Sequence, residues 1–347
     1  MSSAVGVRLD RLGAWIASSA PHLGGDGLTA TLITGGRSNL TYRLETEGRR
    51  FVLRRPPLGN ILPTAHDMAR EYRVLAGLHG SAVPVPEPLA YCDDPSVIGA
   101  PFYLMEHVPG AALAAVDDAA RLTPGEAARI SSDLVAVLAA LHDVDYEAAG
   151  LGGFGRPQGF VERQIRRWHE QWQRSRTRDL PDLDTLVGLL AARCPVTAGR
   201  PAIVHGDYRL DNTLIALEPK PHITAVVDWE MATIGEPLTD LGMLLVYWSD
   251  AGDDERLLIP VAAGVTAFPG FFTRAQIAEA YARATRRDLS DLDFFVALAS
   301  FKLAVVLEGI HARHLAGNTV GVGFDRYGDA VPVLVGAGLR RLAAGAR

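Results

Sequence analysis

Polar residues between positions 204 and 240 have the types and the spacing of a phosphoryl-transfer site. Residues 205–212 read HGDYRLDN, and Asp228 follows a second apolar run. In such an arrangement the Asp of the HGD triplet accepts a proton from an attacking hydroxyl, and the Asn and the later Asp hold Mg²⁺ ions that bridge nucleotide phosphates. We therefore interpret Asp207 as a candidate base and Asn212 and Asp228 as candidate Mg²⁺ ligands.

The elements around this motif are predicted to be short buried strands. Apolar runs at 202–204 and 223–227 each end at a polar residue of the motif, and 213–215 forms a third strand between them. An HGD triplet taken alone is also typical of a turn capped by its Asp side chain. The Asn and the second Asp at the right distance favour the catalytic interpretation.

A glycine-rich segment upstream could approach phosphate groups. Gly35 and Gly36 lie between strand-like stretches at 30–33 and 41–44. Glycine lets the backbone come close to a ligand, and consecutive N–H groups can form an anion-binding nest. The simpler interpretation is a hairpin turn.

A cation follows where a nucleotide site would need one. The strand predicted at 50–55 carries Arg54 and Arg55 and is stopped by two prolines, and the helix predicted at 67–75 contains Glu71. Glu71 can pair with the strand cation and hold it toward phosphates. The alternative is an ordinary surface ion pair, which contributes little to stability.

Length and local composition predict two lobes. At 347 residues the chain exceeds the size at which one hydrophobic core keeps growing. Residues 101–110 read as a strand that runs into a Pro-Gly break, where backbone groups near Glu106 and Val108 could meet an adenine edge. We expect a strand-rich nucleotide-binding lobe over 1–108. A helical lobe with the catalytic and acceptor-binding residues is expected over 109–347.

Taken together, these motifs resemble the aminoglycoside phosphotransferase and choline kinase-like superfamily, the small-molecule relatives of protein kinases. More narrowly, the stretches GGRSNLTY, VLRRPP, REYRVL and DWEMATIG are similar to the phosphotransferase domain joined to some acyl-CoA dehydrogenases. The resemblance covers about residues 28–315. It implies an α+β, bilobal protein-kinase-like fold with a small antiparallel-sheet N-lobe and a larger, mostly helical C-lobe.

The resemblance also implies ATP and Mg²⁺ as cofactors and assigns roles to matched residues. Asp207 would be the catalytic base and Asn212 and Asp228 the magnesium ligands, while Ser38 and Asn39 would lie over the phosphates. Glu71 would hold the strand cation.

One departure concerns that cation, because most of the superfamily carries lysine where this chain has Arg54. Arginine is larger, forked and always charged, so the exchange is not conservative at a tight phosphate site. We interpret it as a variant of an active site. Arg55 is an alternative, since the sequence does not fix the strand register.

Three further polar residues are expected to support the site. His205 has a bracing role, and Glu230 could reach a metal through water. Asp240 opens an apolar run and is a helix-start or loop-bracing residue rather than a third ligand. Asp240 follows Asp228 so soon that no room remains for a long activation segment, which argues against protein kinase activity.

Composition excludes several classes of protein. Apolar content of 48% and charged content of 21% indicate a globular protein, and a net charge of −6 argues against nucleic acid as a partner. No apolar stretch is expected to span a membrane. Charged residues interrupt the N-terminus, so it is no secretory signal, and Cys92 and Cys194 show neither metal spacing nor a disulfide framework. These features favour a cytoplasmic location. They indicate no particular oligomeric state.

Local charge points to the phosphate acceptor. Arginines crowd the segment from 163 to 178, and in a helix over 300–315 two cations share nearly one face. The candidate acceptor-side residues are Arg163, Arg167, Lys302 and Arg313. Because aminoglycosides are polycations and need carboxylates, these cations favour an anionic acceptor. The alternative is a solvated helix face.

Three hypotheses about function follow. The first is a metal-dependent kinase that phosphorylates a hydroxyl of a small-molecule substrate, such as a hydroxy acid or hydroxyacyl-CoA, with aminoglycoside- or choline-type kinases as variants. The second is a nucleotide-binding pseudokinase with a regulatory role, which Arg54 alone supports. The third, a hydrolase using His205 with Asp207, lacks a nucleophile, because no GxSxG motif is present.

Overall fold

The structure is a computed structural model that describes residues 5–33, 39–58, 66–196, 199–261, 264–317 and 323–344. Its N-terminal part is built on an antiparallel sheet with the order β1-β2-β3-β5-β4. The strands are β1 (Thr29–Leu32), β2 (Leu40–Thr46), β3 (Arg49–Arg55), β4 (Pro88–Cys92) and β5 (Phe102–Glu106). Three helices accompany them: α1 (Leu9–Ser19), α2 (Met68–Leu78) and α3 (Pro95–Ile98).

The two faces of this sheet have different neighbours, and the alternation of β3 shows why. Phe51 and Leu53 point into a small core formed with α1 and α3, whereas Val52 belongs to the large core of the molecule. Successive strand residues face opposite sides of a sheet. Arg54 therefore lies on the side of α2 and the C-terminal part, and Arg55 lies on the side of α1.

The C-terminal part is mostly helical, and the chain enters it after β5. Its helices are α4 (Val116–Ala119), α5 (Pro124–Asp143), α6 (Phe160–Ser175), α7 (Pro181–Ala192), α8 (Leu238–Tyr247), α9 (Asp254–Leu257), α10 (Arg274–Thr285), α11 (Leu292–Leu315) and α12 (Tyr327–Ala344). Predicted helix starts are confirmed at α5 and α10, where Thr123 with Glu126 and Thr273 with Gln276 form capping boxes.

Two short ribbons carry the residues of the HGDYRLDN segment. They comprise β6 (Ala202–Val204) paired with β9 (Thr233–Gly235), and β7 (Thr213–Ala216) paired with β8 (His222–Val226). The three predicted short strands are thus confirmed. All three residues of β6 are buried, so the loop that follows starts from a fixed point in the core.

Helix α11 corrects one expectation from the sequence. Its 24 residues are long and apolar enough to cross a membrane by length and composition, so the prediction that no stretch qualifies is wrong. However, 78% of its apolar window is buried inside the protein. It packs against α6, α7, α8 and α12, which is typical of a core helix. The predicted α+β, bilobal kinase-like architecture itself is confirmed.

Candidate active site

The side chain of Asp240 holds the backbone of the loop after β6. Its carboxylate accepts hydrogen bonds from the backbone N–H of His205 (2.6 Å) and of Gly206 (2.8 Å). The His205 ring makes a 2.9 Å contact with the carbonyl oxygen of Val227 and so joins the loop to the end of β8. Since His205 and Asp240 are completely buried, their contacts fix the backbone of the loop.

A second buried layer supports Asp240. His142 at the end of α5 lies 3.3 Å from the Asp240 carboxylate through Nε2 and 2.7 Å from the Tyr281 hydroxyl through Nδ1. Burial would raise the pKa of Asp240, but hydrogen bonds from His142 and from the N–H of Gly206 outweigh it and lower that pKa. Burial lowers the pKa of His142. A neutral imidazole that donates from Nε2 and accepts at Nδ1 satisfies both partners.

Position 206 requires a glycine, because of its backbone conformation and because of the close approach of Met231. Its φ is +83°, and a Cβ added there would lie 2.7 Å from the carbonyl oxygen of Met231. Side chains other than glycine are strained at positive φ. The close contact of this loop with the segment after β8 is therefore possible only because glycine has no Cβ atom.

Asp207 is the polar residue at the tip of this loop, and three side chains contact its carboxylate. The amide of Asn212 donates to Oδ2 (3.0 Å), the hydroxyl of Tyr247 donates to Oδ1 (3.0 Å), and Nε of Arg209 lies 3.3 Å from Oδ2. Arg209 also pairs with Asp211 at 3.1 Å. The Asp207 side chain remains 21% exposed, so a substrate hydroxyl could reach an oriented carboxylate.

Asn212 and Asp228 lie side by side at the ends of β7 and β8. The N–H of Val227 donates to the Asn212 carbonyl (3.0 Å), which extends the pairing of the two strands. Asp228 has a left-handed backbone with φ of +69°, a conformation that non-glycine residues adopt at a cost and that clusters at functional sites. Its side chain is 33% exposed.

Arg54 occupies the middle of a buried charge network. Its Nε lies 2.8 Å from the Glu71 carboxylate, and its guanidinium also contacts Asp228. Tyr103 donates to the same Glu71 carboxylate (3.0 Å). Burial alone would lower the pKa of Arg54, but Glu71, Tyr103 and Asp228 outweigh it and raise that pKa. The predicted pair of Arg54 with Glu71 is present and links the sheet to α2.

Arg55 takes no part in this network. Its guanidinium donates to the carbonyl oxygens of Gly6 and Ile98 on the α1 side of the sheet. Between the two arginines that the sequence leaves open, the structure therefore places Arg54 in the cleft, because alternate residues of β3 face opposite ways.

Asn39 contacts residues of both lobes. Its amide nitrogen donates to Glu71 (2.8 Å) and to Glu230 (3.1 Å), and its amide oxygen lies 2.8 Å from Nδ1 of His66. These contacts join the two lobes, and a place for Asn39 over the phosphates stays a prediction. The hydrogen bond from Asn39 to Glu230 also gives Glu230 a structural role. Gly35, Gly36 and Ser38, which were also predicted to lie near phosphates, fall outside the described residues.

The predicted adenine-binding segment follows β5. Glu106 ends that strand, and its N–H donates to the carbonyl of Glu87 (2.9 Å); Val108 is half-buried two residues later. Nothing in these contacts involves a nucleotide, so recognition of adenine here stays a prediction.

A cavity of about 330 Å³ opens beside the loop. It is lined by Gly206 and Glu230 on one side and by Arg167, Trp168 and Lys302 of α6 and α11 on the other. The Lys302 ammonium donates to the Gly206 carbonyl and lies 5.5 Å from the centre of the Trp168 ring. Two predicted acceptor-side cations, Arg167 and Lys302, thus meet at one cavity.

The other two predicted acceptor-side cations do not line this cavity. Arg163 donates instead to the carbonyl oxygens of Gln158 and Arg156, just before α6. Arg313 is exposed near the end of α11. It shares a helical face with Lys302 but lies about 16 Å farther along the axis, since an α-helix rises about 1.5 Å per residue.

Three residues that the sequence analysis did not assign contribute to the site. Arg209 stood inside the HGDYRLDN segment, so its contact with Asp207 had a signal in the sequence. Tyr247 lies in an apolar helix and His142 at the end of another, and neither carries a motif. Long-range packing alone brings these two side chains to the loop.

The donor set is suited to magnesium. The amide oxygen of Asn212 and the carboxylate of Asp228 are hard oxygen ligands, and Mg²⁺ is usually held by one or two carboxylates together with substrate phosphates. Among the described residues no group of three or more His, Cys, Asp and Glu side chains could enclose a metal. The residues present therefore fit an ion that is shared with a phosphorylated substrate.

Known proteins resemble this chain in sequence and in fold. A profile described as "Phosphotransferase enzyme family" matches residues 29–294. Acyl-CoA dehydrogenase family member 11 of Gallus gallus is 34% identical over 327 residues, which cover 92% of this chain and 41% of that relative. The chain thus spans about two-fifths of the length of the curated relatives it matches.

Solved structures agree with this relationship. A crystal structure from Ralstonia eutropha JMP134, provisionally assigned as an aminoglycoside phosphotransferase, is 34% identical with a TM-score of 0.80 and covers 97% of this chain and 98% of its own. A thermostable variant of aminoglycoside phosphotransferase APH(4)-Ia, in complex with AMP-PNP and hygromycin B, is 16% identical with a TM-score of 0.61, over 96% and 99% of the two chains. The latter is a likeness of fold.

These comparisons confirm the resemblance drawn from the motifs, including that to the domain of acyl-CoA dehydrogenase-linked proteins. From the matched profile and the relatives we conclude that this chain belongs to the phosphotransferase enzyme family.

Proposed function

We propose that this protein is an ATP- and Mg²⁺-dependent kinase of the cytoplasm that phosphorylates a hydroxyl group of a small anionic metabolite. The observation that carries the proposal is the convergence of Asp207, Asn212 and Asp228 at the ends of three short strands. We further propose that lobe 1–108 binds the nucleotide and lobe 109–347 binds the acceptor.

Asp207 is proposed as the general base. Tyr247 and Asn212 each donate a hydrogen bond to its carboxylate, and Arg209 lies beside it, so the group is oriented before substrate arrives. During transfer the acceptor oxygen forms a bond to the terminal phosphorus, the bond to the nucleoside diphosphate breaks, and Asp207 takes the hydroxyl proton. Positioning of this kind supplies most of the catalysis in phosphoryl transfer.

The charge of the phosphates is met by a cation and a pair of oxygen ligands. Arg54, held by Glu71, would face the phosphates, and Asn212 and Asp228 would hold Mg²⁺. A bound magnesium ion would neutralise negative charge on the phosphates. The complex of APH(4)-Ia with AMP-PNP supports a nucleotide as phosphate donor.

The acceptor is proposed to be a hydroxy acid or a hydroxyacyl-CoA thioester. The cavity beside Gly206 carries Arg167 and Lys302, and a cationic lining attracts anions and disfavours polycationic aminoglycosides. Relatedness to acyl-CoA dehydrogenase family member 11 supports the thioester.

A catalytically silent nucleotide-binding module is the second candidate. The contact of Arg54 with Asp228 favours it, because that pair occupies the carboxylate that would hold the metal. In that case nucleotide would bind and no phosphate would be transferred.

Transfer of labelled phosphate from ATP·Mg²⁺ tests the proposal. Wild type and Asp207→Asn would be compared on hydroxy acids, hydroxyacyl-CoA thioesters, aminoglycosides, choline and sugars. Transfer to one acceptor class, lost in Asp207→Asn with nucleotide binding retained, supports the kinase. Turnover by Asp207→Asn close to wild type would overturn the assignment of the base. Nucleotide binding without any transfer favours the silent module.

A further inference from the structure

Lysine is rare in this chain, and one of its lysines lies at the acceptor cavity. Of 34 Lys and Arg residues only two are lysines, Lys220 and Lys302. Lys220 is exposed in the turn between β7 and β8. Lys302 lines the cavity from the middle of α11. A chain that otherwise uses arginine for its cations thus places a compact ammonium group, a point charge with three donors, beside the catalytic loop.

Lys302 has few partners for a cation in such a place. Its ammonium donates to the backbone carbonyl of Gly206 and lies near the face of Trp168. Among the ion pairs of the described residues, none includes Lys302. Burial lowers its pKa, although the charge of Asp207 opposes that change. A desolvated cation that makes no direct ion pair is costly, and contact with a ligand carboxylate would reduce that cost.

The acidic groups around the cavity are already engaged. Asp240 accepts from the N–H groups of His205 and Gly206, Asp67 accepts from the N–H of Arg70 (3.0 Å), and Glu230 accepts from Asn39. They line the cavity from α8, from the start of α2 and from the segment after β8. In the described part of the chain, none of these three acids forms an ion pair with Lys302.

We propose that Lys302, with Arg167 at the rim, binds a free carboxylate of the phosphate acceptor, and that the acceptor is a hydroxy acid. This inference rests on the proposed kinase function and selects the free acid over its thioester. Because the ligand carboxylate would replace no existing partner of Lys302, the hydrogen bond to Gly206 can persist in the complex.

The covalent connection between the two ends of the site limits the length of the acceptor. Lys302 contacts the carbonyl of Gly206, and the next residue is Asp207. Ordinary bond lengths put at most roughly 7 Å between that carbonyl oxygen and the Asp207 carboxylate. Hydrogen bonds of about 3 Å at the ammonium and at each end of the ligand extend that limit, so a molecule with its carboxylate on Lys302 and its hydroxyl on Asp207 has the two groups within roughly 16 Å of each other.

The scarcity of lysine makes the site directly observable. Protein labelled with ¹³C at the lysine Cε gives two lysine signals in an NMR spectrum, and Lys220→Arg assigns them. We would titrate nucleotide-free protein with 2-, 3- and 4-hydroxybutyrate, with the corresponding amides and with the coenzyme A thioester of the responding acid. At least one acid should shift the Lys302 signal saturably, whereas its amide should not, and Lys220 should stay constant.

Two variants complete the test. Lys302→Met should raise the dissociation constant of the responding acid by about tenfold or more, since hydrogen bonds to charged groups are among the stronger ones. Lys220→Met, with the same change of charge at a remote turn, should leave it unchanged. Unchanged affinity in Lys302→Met, equal shifts with the amide or the thioester, or no saturable shift with any acid would overturn the carboxylate site.

These binding outcomes are independent of phosphate transfer. A Lys302 shift without transfer from ATP·Mg²⁺ to any acid would leave the subsite standing and reject the kinase. Transfer to a thioester or a neutral alcohol, without a shift by the free acids, would support the kinase and reject the carboxylate subsite.

Discussion

The hydroxyl of Tyr247 donates a hydrogen bond to Oδ1 of Asp207 across 3.0 Å. Burial and the charge of Asp207 raise the pKa of Tyr247 well above its ordinary value. The phenol therefore stays protonated and remains a donor at every working pH. It fixes one oxygen of the proposed base, while Asn212 holds the other.

Tyr247→Phe should lower kcat while it leaves nucleotide affinity nearly unchanged. The change removes one donor to a charged group, which is worth about 1.5–3 kcal/mol, or roughly 10- to 100-fold in rate. Steady-state kinetics would measure kcat, and nucleotide titration would measure the affinity for nucleotide. Tyr42→Phe is the matched control, since its ring lies in the small core and it loses a partly buried hydrogen bond to the Val5 carbonyl. Equal kcat values for both variants would contradict a positioning role for Tyr247.

Glu71→Gln should destabilise the fold markedly. The change removes the more buried of the two carboxylates that pair with Arg54, and the Arg54 and Glu71 side chains are only 10% and 2% exposed. Breaking a buried ion pair costs about 3–5 kcal/mol. Urea unfolding would measure it. Glu45→Gln is the control, because its partners are exposed arginines on the sheet surface and such pairs are worth about 0–1 kcal/mol. A Glu71→Gln loss no larger than the control would rule out a structural role for the pair.

Gly206→Ala should cost more than a left-handed backbone alone. Gly48 has a similar φ of +86° with nothing within 4 Å of an added Cβ, whereas the Cβ at Gly206 would meet Met231. Gly48→Ala should cost about 1 kcal/mol of unfolding free energy and keep kcat. Gly206→Ala should cost a further 1 kcal/mol or so and lower kcat, because the loop must shift. Identical effects in unfolding and kinetic measurements would show that the contact with Met231 is unimportant.

Stability should fall as pH drops from 7 to 5 because of His142. Burial lowers its pKa in the folded protein, so the imidazole stays neutral there, while the unfolded chain takes up a proton below about pH 6.5. The unfolded state then binds more protons, and unfolding free energy declines by up to about 1.4 kcal/mol per pH unit. His142→Asn should be less stable at pH 7 with a shallower slope. His22→Asn, at an exposed histidine, should keep the wild-type slope, and a His142→Asn slope as steep as wild type would refute the assignment.

Much of the fold was predictable because local signals and burial agree. The short strands around Asp207 and the capping boxes at Thr123 and Thr273 appear where apolar runs and cap residues predict them. The choice between Arg54 and Arg55 was not predictable. It depends on which face of β3 the first helix covers, and alternation along a strand is the same for either register.

The predicted acceptor-side cations show a second reason why sequence alone could not place every site residue. Helical periodicity puts Lys302 and Arg313 on one face, but the angle around an axis contains no distance along it, so only Lys302 reaches the cavity. Asn39 was assigned through family resemblance, and its contacts with Glu71 and Glu230 have no signal in the sequence. Such side-chain contacts arise from long-range packing, which a sequence motif does not show.

The position of Asn39 has a kinetic consequence. One amide nitrogen touches Glu71 from the sheet-bearing lobe and Glu230 from the helical lobe, so rotation of one lobe away from the other must break at least one of these bonds. Entry of nucleotide and departure of product both require such a rotation if the cleft closes around them. Asn39 would then act as a latch whose release rate sets an upper bound on turnover, although it touches no reacting atom.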